Sequence, residues 1–237
     1  MTFAPLGDAA VVVTLGSSID EATLSRVRAL AAALEQDTPA GVVDVVPAYT
    51  TVTVFYDPSV QPAEVSTPYD RICRIVEERA GTLESRWSTL RRSPGSEPAA
   101  RTVDIPVCYG GEYGPDLADV AQHTGLELDE VISLHRGADY LVHAVGFTPG
   151  FGYLGGLSEK LYTPRRSTPR PSVPAGSVGI GWQQTGVYPL ASPGGWQLIG
   201  RTPIALFRPS ENPPAVLRVG DRVTFRAITR EEFLQWK

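Results

Sequence analysis

Glycine, proline and aromatic residues are concentrated in residues 146–203, and this stretch constrains the fold more than any other. Of the 23 glycines, 12 lie between Gly146 and Gly200, and seven prolines lie between Pro149 and Pro193. Such a density of glycine and proline excludes a long helix. The stretch is also too rich in large apolar residues to be a disordered linker. We therefore expect turns and short strands arranged around a site.

The same stretch carries only positive charge over much of its length. Six cations and no Asp or Glu lie between Lys160 and Arg208, in a chain with a formal net charge of -5. Arg165, Arg166 and Arg170 are interspersed with prolines, which restrict the backbone. A restrained guanidinium loses less entropy on binding and matches a carboxylate or phosphate with paired hydrogen bonds. We expect an anion-binding surface; the alternative is a solvated basic loop whose acids arrive in space from elsewhere.

Several long blocks of sequence resemble the family known as allophanate hydrolase subunit 1, also described as carboxyltransferase domain, subdomain C and D. The blocks read VCYGGEYGPDL, GFTPGFGYLGGL, TPRRSTPRPSVPAGSVGI and QTGVYPLASPGGWQLIGRTP. The resemblance is close from residue 107 to about residue 226 and holds by pattern only before that. Gly152 stands where the family usually has proline, and Trp182 where it usually has a small residue. Both departures bear on the wall of a pocket.

The family includes the B subunit of bacterial 5-oxoprolinase and the kinase-A inhibitor of sporulating bacteria. The resemblance implies the first role, ATP-dependent cleavage of the 5-oxoproline lactam to L-glutamate. It further implies a carboxyltransferase-like C subunit, similar to allophanate hydrolase subunit 2, and a third A subunit. ATP with Mg would act in the assembled complex, with no cofactor held tightly by this chain alone. Two alternatives stay open: an inhibitor that binds a sensor histidine kinase, and half of a biotin-dependent carboxyltransferase for a urea-like substrate.

The first part of the chain, residues 1–95, predicts a small α/β domain. Strands are expected at 10–15, 42–46 and 52–56, with a helix after Ser18 as N-cap and a second helix over 62–80 that Gly81 ends. The order β-α-β-β-α is typical of a ferredoxin-like sandwich, with residues 87–90 as a candidate for the last strand. Residues 93–100 have the composition of a linker.

Residues 101–230 predict a closed β-barrel capped by two helices. Strands are expected at 102–109, 140–147, 177–182, 186–190, 196–201, 204–207 and 222–228, with helices at 116–124 and 127–135. Short strands between Gly/Pro turns are typical of barrels. The resemblance implies a cyclophilin-like barrel, so the fold class expected for the chain is α+β.

Candidate site residues come mainly from the Gly-rich and Arg-rich blocks. Uncharged hydrogen-bonding groups beside apolar walls suit a small polar substrate. The expected substrate-binding residues are Phe147, Phe151, Tyr153, Arg165, Arg166, Arg170, Ser177, Gln184, Thr185, Tyr188, Ser192 and Trp196. Glycines expected to bring the backbone close to a ligand are Gly146, Gly150, Gly155, Gly156, Gly194 and Gly195.

No complete catalytic set can be assembled from the sequence. His143, Arg166 and Arg170 are the candidates for catalysis, and residues 160–210 hold neither a carboxylate nor a cysteine. A cationic pocket without a base suggests half an active site, which orients and neutralises an anion while another subunit supplies the base. Three scattered histidines and two cysteines do not predict a metal site. The acidic balance argues against nucleic acid, and the absence of a long apolar run or signal-like start predicts a cytoplasmic protein.

Overall fold

The computed structural model describes residues 1–60, 67–90 and 101–236. Contacts between residues divide the chain into two units, Met1–Ala99 and Ala100–Lys237. The expected linker, residues 93–100, falls outside the described ranges. The described residues contain no helix that is both long and apolar enough to cross a membrane.

The first unit contains a four-stranded antiparallel sheet. Its strands are β1 (Thr2–Pro5), β2 (Ala10–Thr14), β3 (Val42–Ala48) and β4 (Thr51–Tyr56). Their order is β1-β2-β4-β3. The β-branched runs that predicted β2, β3 and β4 are confirmed as strands. Strand β1 was not expected from the sequence.

Two helices, α1 (Glu21–Gln36) and α2 (Pro68–Leu90), contribute to the core of this unit together with β2 and β4. The N-cap of α1 is Asp20, whose side chain accepts a hydrogen bond from Thr23 N at 2.7 Å, and the prediction of Ser18 was wrong. Helix α2 begins at Pro68, a residue suited to the first helical position. Gly81 does not end it, and a Cβ there would meet nothing within 4 Å.

The expected ferredoxin-like sandwich is not confirmed. Its β-α-β core is present, since β4 lies between β2 and β3 and pairs antiparallel with both. The last strand, expected at 87–90, is instead the end of helix α2. The sheet position beside β2 is taken by β1, from the start of the chain.

Seven strands of the second unit form a closed barrel, which confirms the expected architecture. They are β5 (Thr102–Tyr109), β6 (Tyr140–Val145), β7 (Gly152–Gly155), β9 (Ser177–Gly181), β10 (Gln184–Val187), β12 (Gln197–Arg201) and β13 (Arg222–Ala227). The order is β6-β13-β5-β12-β9-β10-β7, and pairing of β6 with β7 closes the ring. All pairs are antiparallel except β5 with β13.

The remaining elements of this unit lie between or after the barrel strands along the sequence. They are α3 (Leu117–Thr124), α4 (Leu128–Arg136), a 3₁₀ turn (Glu159–Leu161), β8 (Arg170–Val173), β11 (Ser192–Gly194) and α5 (Arg230–Gln235). β8 and β11 form a separate two-stranded sheet. The strand expected at 204–207 is absent; Phe207 only forms an isolated bridge with Ala215.

The turn between β5 and α3 is packed directly against β12. Gly114 N donates to Gly110 O at 2.8 Å, and a Cβ on Gly114 would overlap the carbonyl group of Ile199. Only glycine fits this approach, because the obstacle is main chain and cannot rotate away. The approach brings the start of α3 next to β12.

Candidate functional site

The segment of residues 163–168 lies beside α3 and β12 and is held at three points of its main chain. Two bonds are accepted by its carbonyl oxygens and one is donated by its amide. They are Trp182 N to Thr163 O at 2.8 Å, Gln197 Nε2 to Pro164 O at 2.9 Å, and Arg166 N to Gly195 O at 2.7 Å. These bonds fix the backbone that carries Arg165 and Arg166.

A single buried carboxylate, Asp116, holds two of the predicted arginines. Asp116 Oδ1 accepts from Arg166 Nη1 at 3.1 Å and from Arg170 Nη2 at 2.7 Å. Its other oxygen, Oδ2, accepts from Leu198 N at 2.7 Å. The Asp116 side chain is 3% exposed, against 35% for Arg166 and 23% for Arg170. The carboxylate therefore joins the arginines to strand β12 of the barrel.

This ion pair corrects the picture of a basic stretch without acids. The stretch is acid-free along the sequence, but Asp116 arrives from the residue before α3. One carboxylate does not satisfy both guanidiniums, because Arg166 Nε and Arg170 Nη1 are buried and have no hydrogen-bond partner. Two cations share one anion, and local positive charge remains.

Arg165 lies on a different partner. Its guanidinium sits over the ring of Trp196, 5.7 Å from the ring centroid, a cation–π contact. Trp196 is only 5% exposed and is packed in an aromatic cluster. Arg165 itself is exposed, so its remaining donors face solvent.

Arg165 and Arg166 line a cleft of about 400 Å³. Its walls are residues 163–168, Asp119 and His123 on α3, and Gln197 on β12. Asp119 and His123 are four residues apart and therefore lie on one face of the helix. The residues that line the cleft therefore carry two guanidiniums, a carboxylate, an imidazole, an amide and the hydroxyls of Ser167 and Thr168.

Most predicted aromatic residues are packed on one another. Phe151, Tyr188 and Trp196 are at most 5% exposed and meet edge to face, with Tyr153 partly buried beside them. Burial raises the pKa of the Tyr188 hydroxyl. These rings support the floor beneath Arg165, and they do not line the cleft.

Thr185 belongs to a buried hydrogen-bond chain inside the barrel. Its hydroxyl donates to Gly179 O at 3.0 Å, so it can only accept from His135 Nε2 at 2.9 Å. His135 Nδ1 then accepts from the Tyr109 hydroxyl at 2.8 Å. Complete burial lowers the pKa of His135 to about 3. The imidazole is therefore neutral. The Thr185 hydroxyl is used within this buried network and is not offered to a ligand.

His143 is the extra residue of a β-bulge in β6. The register shifts between Val142 and Ala144, and His143 is 8% exposed. A Cβ on Gly155 would lie 2.5 Å from His143 Nε2, so the glycine of the GYLGG block seats this imidazole. His143 does not line the cleft.

The other predicted residues are scattered around the barrel. Phe147 is 63% exposed with φ +72°, and Trp182 is 59% exposed with φ +58°. Ser177 is buried in β9, Gln184 is half-buried in β10, and the buried Ser192 Oγ in β11 has no partner. Gly152 adjoins the core residue Leu217.

The predicted glycines are used by the main chain and by packing. Gly150 and Gly156 have positive φ. Gly195 O accepts from the Arg166 amide, and Gly146 N donates to a carbonyl oxygen. Gly194 adjoins the Tyr188 hydroxyl, and Gly155 leaves room for the His143 imidazole. Of the six, only Gly195 bonds to the cleft-lining segment.

Several residues of the cleft were missed from the sequence. Asp119 and His123 had a signal, their spacing on the polar face of a predicted helix. Ser167 and Thr168 lie within the Arg-rich block itself. Gln197 in the wall and Asp116 behind it gave no separate signal, because their roles depend on partners distant in sequence. Across the described residues, no three His, Cys, Asp or Glu side chains are grouped to hold a metal ion.

Comparison with known proteins places this geometry in a family. The profile described as carboxyltransferase domain, subdomain C and D, matches residues 1–217. A protein from Bacillus subtilis (strain 168), named as the B subunit of 5-oxoprolinase, is 46% identical over 236 residues, covering 98% of this chain and 95% of the relative. A protein of the same name from Escherichia coli O157:H7 is 46% identical over 221 residues, covering 93% of each chain.

Solved structures agree with the fold. The crystal structure of TTHA0988 has a TM-score of 0.75 and 38% identity, covering 92% of this chain and 40% of that one. The urea amidolyase of K. lactis has a TM-score of 0.72 and 18% identity, covering 98% of this chain and 15% of that one, a likeness of fold alone. Since the profile spans most of the sequence and the relatives match over nearly their full length, the chain belongs to the carboxyltransferase domain, subdomain C and D, family.

Proposed function

We propose that this chain is the B subunit of an ATP-dependent 5-oxoprolinase, which cleaves the lactam of 5-oxoproline to L-glutamate. One observation carries the proposal: 46% identity to two proteins named as the B subunit of 5-oxoprolinase, over nearly the whole of this chain and of both relatives. The alternative substrate, a urea-like molecule, has support only from a likeness of fold at 18% identity. An uncharged urea also makes no use of a cationic cleft.

The chemistry divides naturally between subunits. A lactam is a stable amide whose opening is coupled to ATP, and the intermediate carries negative charge. The cleft of this chain offers guanidiniums and hydroxyls, groups that bind and neutralise an anion. We therefore assign the binding of the anion to this chain, and ATP with Mg and the base that activates water to partner subunits.

The proposed partners are a carboxyltransferase-like C subunit and a third A subunit. The relatives are themselves named as one subunit of 5-oxoprolinase, which supports the existence of others. The TTHA0988 chain supports a physical link, because the matched part is only 40% of that chain and further polypeptide is joined to it. We place the assembly in the cytoplasm.

Reconstitution tests the proposal. The chain is co-expressed with the C and A subunits, and glutamate release from 5-oxoproline is measured with and without ATP. We expect ATP-dependent release from the full set and none from this chain alone. Turnover by the single chain would contradict the division between subunits. An intact assembly that releases no glutamate would overturn the function itself, and capture of a sensor histidine kinase in its place would favour the inhibitor.

A further inference from the structure

The cleft beside α3 has the size and rigidity of a ligand site. Its volume of about 400 Å³ lies within the range of roughly 300–1,000 Å³ that is usual for small-molecule pockets. Three hydrogen bonds to its main chain hold the segment that carries its arginines. A wall fixed before binding loses little conformational entropy when a ligand arrives.

The charges of the cleft select an anion. Arg165 and Arg166 stand against one acid of the wall, Asp119. Asp116 lies behind the wall and is already shared by Arg166 and Arg170. The guanidiniums therefore outnumber the carboxylates both in the wall and in the whole cluster. Two consecutive arginines line the cleft, one held by Asp116 and one laid on Trp196, and a guanidinium suits a carboxylate.

Gln197 supports this cationic wall and offers a ligand no accessible acceptor. Its Nε2 donates to Pro164 O at 2.9 Å, which sets the orientation of the amide. Its Oε1 is buried and has no hydrogen-bond partner. Because that oxygen is closed to solvent, a ligand in the cleft does not reach it, and recognition of the ligand falls to the guanidiniums.

We propose that this cleft binds the lactam acid substrate, with its carboxylate on Arg165 and Arg166. Asp116 is a positioning residue, which holds Arg166 from behind and does not touch the substrate. The inference rests on the proposed function for the identity of the substrate. The binding of a small carboxylate at these arginines can be tested separately from turnover.

Binding is measured first, by calorimetric titration of the reconstituted assembly with 5-oxoproline and with 2-pyrrolidinone, which lacks the carboxylate. The variants are Arg165→Ala and Arg166→Ala, with Arg208→Ala as the matched control. Arg208 belongs to the same acid-free stretch, pairs with Glu211, and does not line the cleft. Melting curves and co-purification with the partner subunits establish that each variant is folded and assembled.

We expect each cleft variant to weaken 5-oxoproline binding about 10- to 150-fold, the loss of one charge-assisted hydrogen bond. Binding of 2-pyrrolidinone should change little, so the preference for the acid should shrink by the same factor. Arg165→Lys and Arg166→Lys should recover only part of the loss, because an ammonium lacks the fork of a guanidinium. Arg208→Ala should bind as the unaltered chain does.

Turnover separates this inference from the proposed function. If the assembly hydrolyses 5-oxoproline but both cleft variants bind it normally, the cleft is not the substrate site and the function stands. If the assembly shows no turnover but the cleft variants still lose carboxylate binding, the function is wrong and the carboxylate site stands. Unchanged preference for the acid in both variants overturns the inference.

Discussion

Removal of the Asp116 carboxylate should destabilise the chain more than removal of any exposed acid. In Asp116→Ala the buried amide of Leu198 loses its acceptor, which costs about 1–3 kcal/mol. Arg166 and Arg170 lose their shared partner, but their side chains are 35% and 23% exposed and can turn to water. Solvent screening limits each of these pairs to about 1 kcal/mol or less. The expected loss in free energy of unfolding is about 2–4 kcal/mol.

Thermal unfolding followed by circular dichroism measures this loss. For a chain of this length the change corresponds to a fall of roughly 5–15 °C in the midpoint. Asp104→Ala is the matched control, since Asp104 pairs with Arg226 at 3.1 Å and both side chains are about half exposed. It should change the free energy of unfolding by less than about 0.5 kcal/mol. Equal shifts for the two variants would refute the view that Asp116 anchors the arginines to the barrel.

Three further predictions concern the barrel. Burial lowers the pKa of His135 from 6.5 to about 3, so between these pH values the unfolded state binds a proton that the folded state does not. The contribution of His135 to the free energy of unfolding is therefore full above pH 6.5 and falls by about 1.4 kcal/mol per pH unit as the pH drops towards 3. Denaturation at several pH values should show this slope reduced in His135→Gln, and the same slope in His135→Gln and the unaltered chain would count against the buried neutral imidazole. Gly114→Ala should lower the free energy of unfolding by about 1–3 kcal/mol beyond Gly146→Ala, because only the former forces a Cβ into main chain of β12, whereas Gly146 has open space and no positive φ; similar urea midpoints would contradict this. Residues 100–237 expressed alone should unfold in one cooperative, β-rich transition, and a fragment lacking such a transition would show that this unit depends on the first.

Strands with continuous β-branched residues could be predicted from the sequence, whereas strands made of glycine and proline could not. Strand β5 was predicted with its full length, and β7, β8 and β11 were missed. Each contains glycine or proline, which have low strand propensity, and pairing with distant strands makes these segments extended. The end of α2 was misjudged for a related reason: an exposed glycine weakens a helix by about 1 kcal/mol, which the rest of the helix can offset.

The arginines of the candidate site could be found from the sequence, but their partners could not. Charge and proline spacing singled out Arg166 and Arg170, while Asp116 lies 50 residues or more before them and meets them only in the folded chain. Thr185 shows a different error: it lies in a polar block and was predicted to bind substrate, but its side chain is fully buried. Its hydroxyl is used by His135, a contact that spacing along the chain does not reveal.

The parallel pairing of β5 with β13 also governs when the barrel can form. The barrel cannot close before β13 is made, because β13 lies between β5 and β6 and completes the ring. During synthesis, the earlier strands therefore leave the ribosome with two sheet edges unpaired until residue 227 has emerged. A gene truncated at residue 217, where the family profile ends, would encode a product that keeps those edges open permanently. Open edges pair with other chains, so such a product is expected to aggregate.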